Sequence, residues 1–316
     1  MRSDANRERY SRPKAPPGDT AGQRRPRAIQ LLCRWLSSIR FDEVAALQAT
    51  PTIGAAFSIG ALSAGHVLTA AILIGGNLCL MAHVFVLNDW SGIDGDLKDP
   101  DRANRTFAAK GLTRTEVGYL AGSLLAISLL LFVLINSRVL IVAVTIAGLS
   151  ALYSSPTVHL KGAPLFNSAL HFVGGCVHFL LGYAAFGAIN AQGLIVSCFF
   201  GLVFTAGHFT HETRDYDVDL LNGIRTNAVA FGKARSFIAG LVLFISAYAF
   251  MVALAALRFV PFFLVFAAAF IPVHLSASSR AMRAGLTSES LRRLQQCYRA
   301  IFAIIGIVMI AMIALS

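Results

Sequence analysis

The sequence has few charged side chains, and acidic ones are scarcest. Only 14% of its 316 residues are Asp, Glu, Lys or Arg, and 16 are acidic, whereas 56% are hydrophobic. This shortage excludes an ordinary soluble domain, in which about a quarter of the residues are charged. The five cysteines show no C-x-x-C spacing, so neither a disulfide framework nor a zinc site is indicated.

The hydrophobic residues form continuous runs of about 20 residues, the length of a transmembrane helix. Lipid cannot satisfy free backbone groups, and the runs do not alternate, so helices are predicted and not barrel strands. We predict an all-α polytopic membrane protein with nine transmembrane helices around a central cavity, as two similar four-helix halves plus one helix. The predicted spans are roughly 43–62, 66–87, 114–135, 139–155, 164–187, 191–211, 235–256, 259–278 and 295–315.

The N-terminal segment differs from the rest of the chain. Residues 1–28 are rich in Arg and Pro and contain no apolar run, which predicts a disordered basic tail ahead of a membrane domain over 29–316. From Ala28 to Ile39, apolar residues at helical spacing lie beside Arg34 and Arg40. This pattern fits either a short helix at the membrane surface or the start of the first span.

The cations indicate the orientation of the chain. Of the 27 Lys and Arg residues, all except Arg138 and Arg258 lie in the tail or in the loops after spans 2, 4, 6 and 8. The positive-inside rule therefore places the N-terminus and these loops in the cytoplasm, as in a bacterial-type inner membrane. The formal charge of +11 is spread along membrane-proximal loops, so anionic lipids are predicted as partners and nucleic acid is not.

Two predicted cytoplasmic loops contain most of the acidic residues. The first cluster, within 88–105, has five aspartates, and the second, 211–219, has one glutamate and three aspartates. On helices that continue from spans 2 and 6, Asn88 and Asp96 share one face, and Asp215 and Asp219 share another. Because carboxylates suit Mg²⁺ and substrate phosphates complete its shell, opposed faces predict a two-metal diphosphate clamp.

Cations near both clusters fit a negatively charged leaving group, which charge-assisted hydrogen bonds would stabilise. They lie after the first cluster, around the second and in the intervening loop: Lys98, Arg102, Arg105, Arg214, Arg225 and Lys161. Solvated loop charges are the alternative explanation for either cluster taken alone.

Three motifs in this order resemble those of the UbiA-type intramembrane prenyltransferases. Asn88-Asp89 through Asp96 with the trailing Arg105 resembles N-D-x-x-D-x-x-x-D, and Asp215-x-x-x-Asp219 followed by 222–232 resembles the second acidic motif. The run from Tyr153 to Lys161 resembles the loop after the fourth helix of that family. One position departs, because Gly92 stands where the family has an aspartate. Asp94 is the expected replacement if the helix ends at Ser91-Gly92.

The resemblance implies Mg²⁺-dependent transfer of an isoprenoid chain from a prenyl diphosphate to a lipophilic, aromatic or quinone-type acceptor. The implied metal ligands are Asn88, Asp89, Asp94, Asp96, Asp215 and Asp219. The implied catalytic residues are Asp89, Asp96, Asp215, Asp219 and Lys161. The implied substrate-binding residues are Asn88, Arg102, Arg105, Tyr153, Arg214, Arg225 and His171.

Recognition of the acceptor is expected to use polar side chains inside the spans, since such residues are costly in lipid. The candidates are Gln48, His83, Asn167, His171 and His178. A terpene cyclase and a transferase to a non-aromatic lipid or sugar phosphate remain open, because each would use the same diphosphate clamp. A transporter is the alternative from a different class, although its charges are expected near the bilayer midplane.

Overall fold

The computed structural model describes residues 27–60, 63–155, 157–158 and 160–315. These residues form helices and no strand. The predicted tail therefore lies almost entirely outside the described residues. The helices are α1 (Arg27–Ser38), α2 (Phe41–Ala46), α3 (Ala49–Ser58), α4 (Ala64–Asp96), α5 (Pro100–Ala103), α6 (Arg114–Val133), α7 (Ser137–Ser154), α8 (Phe166–Phe186), α9 (Ala191–Leu221), α10 (Asn227–Phe231), α11 (Lys233–Ala256), α12 (Ile271–Arg283) and α13 (Ser288–Ala314), with 3-10 helices at Leu160–Gly162 and Phe262–Phe270.

Eight helical segments in the described residues are long and apolar enough to cross a membrane, which confirms the polytopic all-α prediction. The predicted span 43–62 is instead divided into the short helices α2 and α3. Pro51 explains the division, because it has no N–H to donate to the carbonyl of Leu47, where α2 is capped. The count of nine is therefore approximate.

Helix α1 is separate from α2, so residues 28–39 are not the continuous start of the first span. Leu31 and Trp35 pack against a buried hydrophobic cluster that includes Phe107 and Leu112 from the segment after α4. Arg34 Nε also donates to the carbonyl of Lys110 at 3.1 Å. The surface helix is thus fixed to the chain segment that follows the first acidic cluster.

Glycines allow α3 to lie directly against α8. A Cβ added to Gly182 would stand 1.7 Å from the carbonyl oxygen of Pro51, and one added to Gly54 would stand 2.1 Å from that of Phe179. Such close backbone approach is typical of helices that associate in lipid. This contact joins α3 to α8, and therefore joins the first half of the bundle to the second.

The two helices that carry the acidic clusters, α4 and α9, are the longest, at 33 and 31 residues. Helix α9 ends at Leu221, and Gly223 follows with a φ of +68°, which is accessible to glycine at little cost. The amide of Ile224 then donates to the carbonyl of Asp219 at 2.8 Å, which closes the helix end. Residues 88–96 and 211–219 therefore lie on the last turns of long helices and not in loose loops.

We expect Gly182→Ala to destabilise the protein by about 1–3 kcal/mol, because the added methyl group overlaps the α3 backbone. The matched control is Gly174→Ala in the same helix, where an added Cβ meets no heavy atom within 4 Å. Thermal unfolding in detergent, followed by size-exclusion chromatography, measures both. Equal midpoints for the two variants would contradict the packing argument.

Candidate active site

The ends of α4 and α9 meet at one side of the bundle. Asn222 Nδ2 donates to the carbonyl of Gly95 at 3.4 Å, which joins the two helix ends directly. Arg102 reaches both clusters, with Nη1 at 3.5 Å from Asp96 and Nη2 at 3.0 Å from Asp215. The two acidic clusters therefore form one site.

The guanidinium of Arg102 is half-buried among carboxylates. Burial lowers its pKa, but attraction to Asp215 and Asp96 outweighs that effect, and the pKa lies above its usual value. Nε also lies 3.4 Å from Asp99. The side chain is thus a permanent cation between the two motifs.

In the second cluster, two aspartates one helical turn apart have different surroundings. Asp215 accepts from Arg214 Nε at 2.9 Å, and Arg214 is itself held by Gln295 at 2.8 Å. Asp219 is 4% exposed, yet its carboxylate has no hydrogen bond or ion pair among the described residues. Among the cationic side chains, Lys161 has the strongest electrostatic attraction to it. A buried carboxylate without a direct partner is costly unless a cation is bound there.

In the first cluster, α4 continues without interruption through Gly92 to Asp96. Asn88, Gly92 and Asp96 therefore share a face, as expected from their spacing. A Cβ on Gly92 would meet only Asp96 Oδ2, at 4.0 Å, so this position is open. Asp89 is ion-paired with Arg40, the residue that precedes α2.

The expected replacement of the missing aspartate by Asp94 depended on a condition that the structure does not meet. It required the helix to end at Ser91-Gly92, whereas the helix continues and carries Asp94 to another face. Its carboxylate is 76% exposed and lies 3.3 Å from Arg114, the first residue of α6. Arg114 also lies over the ring of Trp90, with Cζ 5.0 Å from the ring centroid.

The second cluster has an ion pair at the position equivalent to Asp94, and it likewise joins the motif to the next long helix. Asp217 is 78% exposed and lies 3.6 Å from Lys233, the first residue of α11, which also lies over Tyr216. Asp94 and Asp217 each follow the start of their motif by six residues. Each therefore ties its motif to the following helix and faces away from the site.

The UbiA prenyltransferase family model matches residues 49–311, which is most of the chain. The chain belongs to the UbiA prenyltransferase family. No curated protein matches the chain.

Solved structures of UbiA homologues have the same fold at low identity. One from Archaeoglobus fulgidus bound to DMAPP and Mg²⁺ is 17% identical, with a TM-score of 0.68 over 88% of this chain and 99% of that one. The apo homologue from Aeropyrum pernix K1 is 19% identical, with a TM-score of 0.68 over 85% and 98%. A digeranylgeranylglyceryl phosphate synthase is 18% identical, with a TM-score of 0.63 over 90% and 99%.

A buried polar network lies beside the second UbiA motif. Glu212 is 4% exposed and accepts from Asn167 Nδ2 at 2.6 Å and from Asn227 Nδ2 at 2.8 Å. His208 Nε2 lies 3.1 Å from Glu212, although its orientation does not satisfy hydrogen-bond geometry. Asn167 also donates to the carbonyl of Lys161 at 3.0 Å, so the network holds the loop that carries this lysine.

Three rings stand next to this network. His171 stacks on His208 with centroids 3.6 Å apart, and Tyr153 meets His171 edge to face at 5.2 Å. His171 Nδ1 is 2.8 Å from the carbonyl of Asn167, so this nitrogen is the donor. The remaining nitrogen, Nε2, is then a proton acceptor.

Other predicted site residues are less closely held. Arg105, Arg225 and Lys98 are exposed at the same end of the bundle.

Of the acceptor candidates, His83 is bonded through Nδ1 to the carbonyl of Ala121 at 2.9 Å. Gln48 and His178 are joined through Asn77, at 2.9 and 3.1 Å. These three candidates have structural partners inside the bundle.

Arg40, Glu212 and Asn227 were not among the predicted site residues. One signal for Glu212 was available, because the nine-residue patterns N-D-x-x-G-x-D-x-D (88–96) and H-E-x-x-D-x-D-x-D (211–219) carry acids at matching positions. Glu212 matches Asp89 in this repeat. Arg40 and Asn227 lie far from their partners in sequence, and only the fold brings them to the site.

We expect Asn227→Ala to lower stability by about 1–3 kcal/mol, because Glu212 stays buried and loses a donor. Asn104→Ala, an exposed asparagine at the same end of the bundle, is the control and is expected to be neutral. The thermal midpoint in detergent measures both. The double variant Glu212→Leu/Asn227→Ala should lose less than the sum of the single changes, and strict additivity would contradict the coupling.

Proposed function

We propose that this protein catalyses Mg²⁺-dependent transfer of an isoprenoid chain from a prenyl diphosphate to a lipophilic acceptor within the membrane. The observation that carries the proposal is the single site formed by both acidic clusters, joined through Arg102. Family membership supports it, as do the fold neighbours from Archaeoglobus fulgidus bound to DMAPP or GPP with Mg²⁺.

The donor set fits Mg²⁺. Asp215, Asp219, Asp96 and Asn88 offer hard oxygen atoms, and the buried carboxylate of Asp219 has no direct partner among the described residues. Asp215 and Asp219 would hold the metal, and Asn88 and Asp96 would face it from the end of α4. When bound, Mg²⁺ neutralises negative charge on the departing diphosphate.

Cationic side chains bind the rest of the diphosphate and stabilise the charge that develops as the C1–O bond breaks. Arg102 contacts the carboxylates and Lys161 attracts Asp219 electrostatically, while Arg105 and Arg225 are exposed at the same end of the bundle. Arg214 holds Asp215 in position. Because the site lies at the ends of apolar helices, the chain also keeps bulk water from an allylic cation.

An aromatic or quinone-type acceptor is the substrate that this site supports best. Tyr153, His171 and His208 form a wall of rings beside the acidic motifs. A flat ring stacks favourably on such a wall. His171 Nε2 is a suitable atom to take a proton from a phenol or from the ring carbon that receives the prenyl chain.

The cytoplasmic orientation in a bacterial-type inner membrane is part of the same proposal. It is supported by the distribution of Lys and Arg, of which all but two lie in the tail or in alternate loops. The meeting of both acidic clusters at one end of the bundle is consistent with it. The transporter alternative is disfavoured because the charged site lies at helix ends.

We expect Asp215→Ala and Asp219→Ala to reduce diphosphate release by about 10²-fold or more, since each removes a group that acts on the developing charge. Asp217→Ala is the matched control, because it lies between them in α9 but is 78% exposed and pairs with Lys233. The assay measures diphosphate released from a labelled prenyl diphosphate by purified protein in detergent. Equal losses in all three variants would contradict a specific role for the first two.

The acceptor class is tested with the wild-type protein. Product spectra are compared after incubation with a prenyl diphosphate, Mg²⁺ and either a phenolic acid, a quinol or a glycerol phosphate lipid. A prenylated ring supports the proposal. Prenylated lipid phosphate, or a cyclised hydrocarbon formed without any acceptor, identifies the alternative transferase or a cyclase.

A further inference from the structure

Both acidic motifs follow the same nine-residue pattern, so the second motif can serve as a reference for the first. The second, fifth, seventh and ninth positions of the pattern are Asp89, Gly92, Asp94 and Asp96 in α4, and Glu212, Asp215, Asp217 and Asp219 in α9. The seventh positions pair with the next helix in the same way in both halves. The two motifs can therefore be compared position by position.

The comparison shows that one carboxylate is missing from the first motif. Its fifth position is Gly92, whereas the second motif has Asp215 there. Near Gly92 an added Cβ would meet only Asp96, at 4.0 Å, so no other side chain fills the gap. Asp94 does not compensate, because it is 76% exposed and held by Arg114.

The remaining carboxylates of the first motif already have cationic partners. Asp89 is paired with Arg40, and Asp96 lies 3.5 Å from Arg102. In the second motif Asp215 is also paired, with Arg214 at 2.9 Å and with Arg102 at 3.0 Å. Asp219, one helical turn away, is buried, and its carboxylate has no direct partner among the described residues. The carboxylate that is left for a divalent cation therefore lies in the α9 half of the site.

Resting on the proposed function, we propose that this site binds one divalent cation, at Asp215 and Asp219, and that Arg102 supplies the positive charge between the motifs that a second cation would otherwise provide. Arg102 already spans the gap, with one nitrogen 3.0 Å from Asp215 and another 3.5 Å from Asp96. A guanidinium donates several hydrogen bonds in a plane, so it also has donors for diphosphate oxygens.

The proposal makes Gly92 the residue that sets the number of cations. An aspartate there would stand on the face shared by Asn88 and Asp96, one helical turn from each. It would restore the carboxylate that the first motif lacks. The change needs no backbone adjustment, because Gly92 lies within a regular helix and its Cβ position is open.

The test counts Mn²⁺ bound to the purified full chain in detergent by electron paramagnetic resonance, with geranyl S-thiolodiphosphate as a non-reacting diphosphate probe. We expect about one Mn²⁺ per wild-type chain and about two in Gly92→Asp, with dipolar broadening between them. Asp94→Asn is the control in the same motif and should keep the wild-type count. Asp219→Asn should bind Mn²⁺ at least about tenfold more weakly.

Two Mn²⁺ ions in the wild-type protein would overturn the proposal, and so would an unchanged count in Gly92→Asp that remains monodisperse. Either result leaves prenyl transfer intact, because the probe and the metal still bind. Failure of the proposed function has a different signature, in which the wild-type protein neither binds the probe nor releases diphosphate from a prenyl diphosphate. The two failures are therefore distinguishable.

Discussion

The contact on which the site depends is that of one guanidinium with two carboxylates from different helices. Asp96 and Asp215 carry like charges on the ends of α4 and α9, and Arg102 lies between them. Without an intervening cation these helix ends would repel each other, because the two carboxylates are only 28% and 24% exposed and are incompletely screened by water. The arginine thus allows the two halves of the bundle to close on each other while keeping carboxylates available for a metal.

A second carboxylate is held in a different way. Glu212 is buried inside the bundle, and its carboxylate has lost its contact with water. The amide groups of Asn167 and Asn227 offset this desolvation cost by donating hydrogen bonds, without a positive charge. These amides come from α8 and α10, and Asn167 also holds the backbone of Lys161. A single buried acid thereby fixes the second motif, the lysine loop and the start of α10 relative to one another. The side chains of the second motif and of Lys161 are therefore carried by rigid elements, as precise positioning of a reacting group requires.

Much of this organisation follows from the sequence because it is encoded in local patterns. Continuous apolar runs predict helices in lipid, and the spacing of Asn88 and Asp96 predicts a shared face, which the helix through Gly92 provides. The sequence also predicted that the two clusters meet. The division of the first span at Pro51 was missed, because the length of an apolar run does not show whether the backbone hydrogen bonds along it are continuous. The partners Arg40 and Asn227 were missed because contacts between residues far apart in the chain leave no periodic signal.

The paired anchors at Asp94 with Arg114 and Asp217 with Lys233 bear on how such a protein can diversify. Each fastens the base of a connecting segment, so that the stretches 97–113 and 220–232 begin and end on a fixed frame. The two segments contain Arg102, Asn222 and Asn227, which contact the motifs, so these three positions are fixed by the site. The other positions can vary without shifting the helices beneath them, which leaves a modular route to new substrate preference on an inherited scaffold.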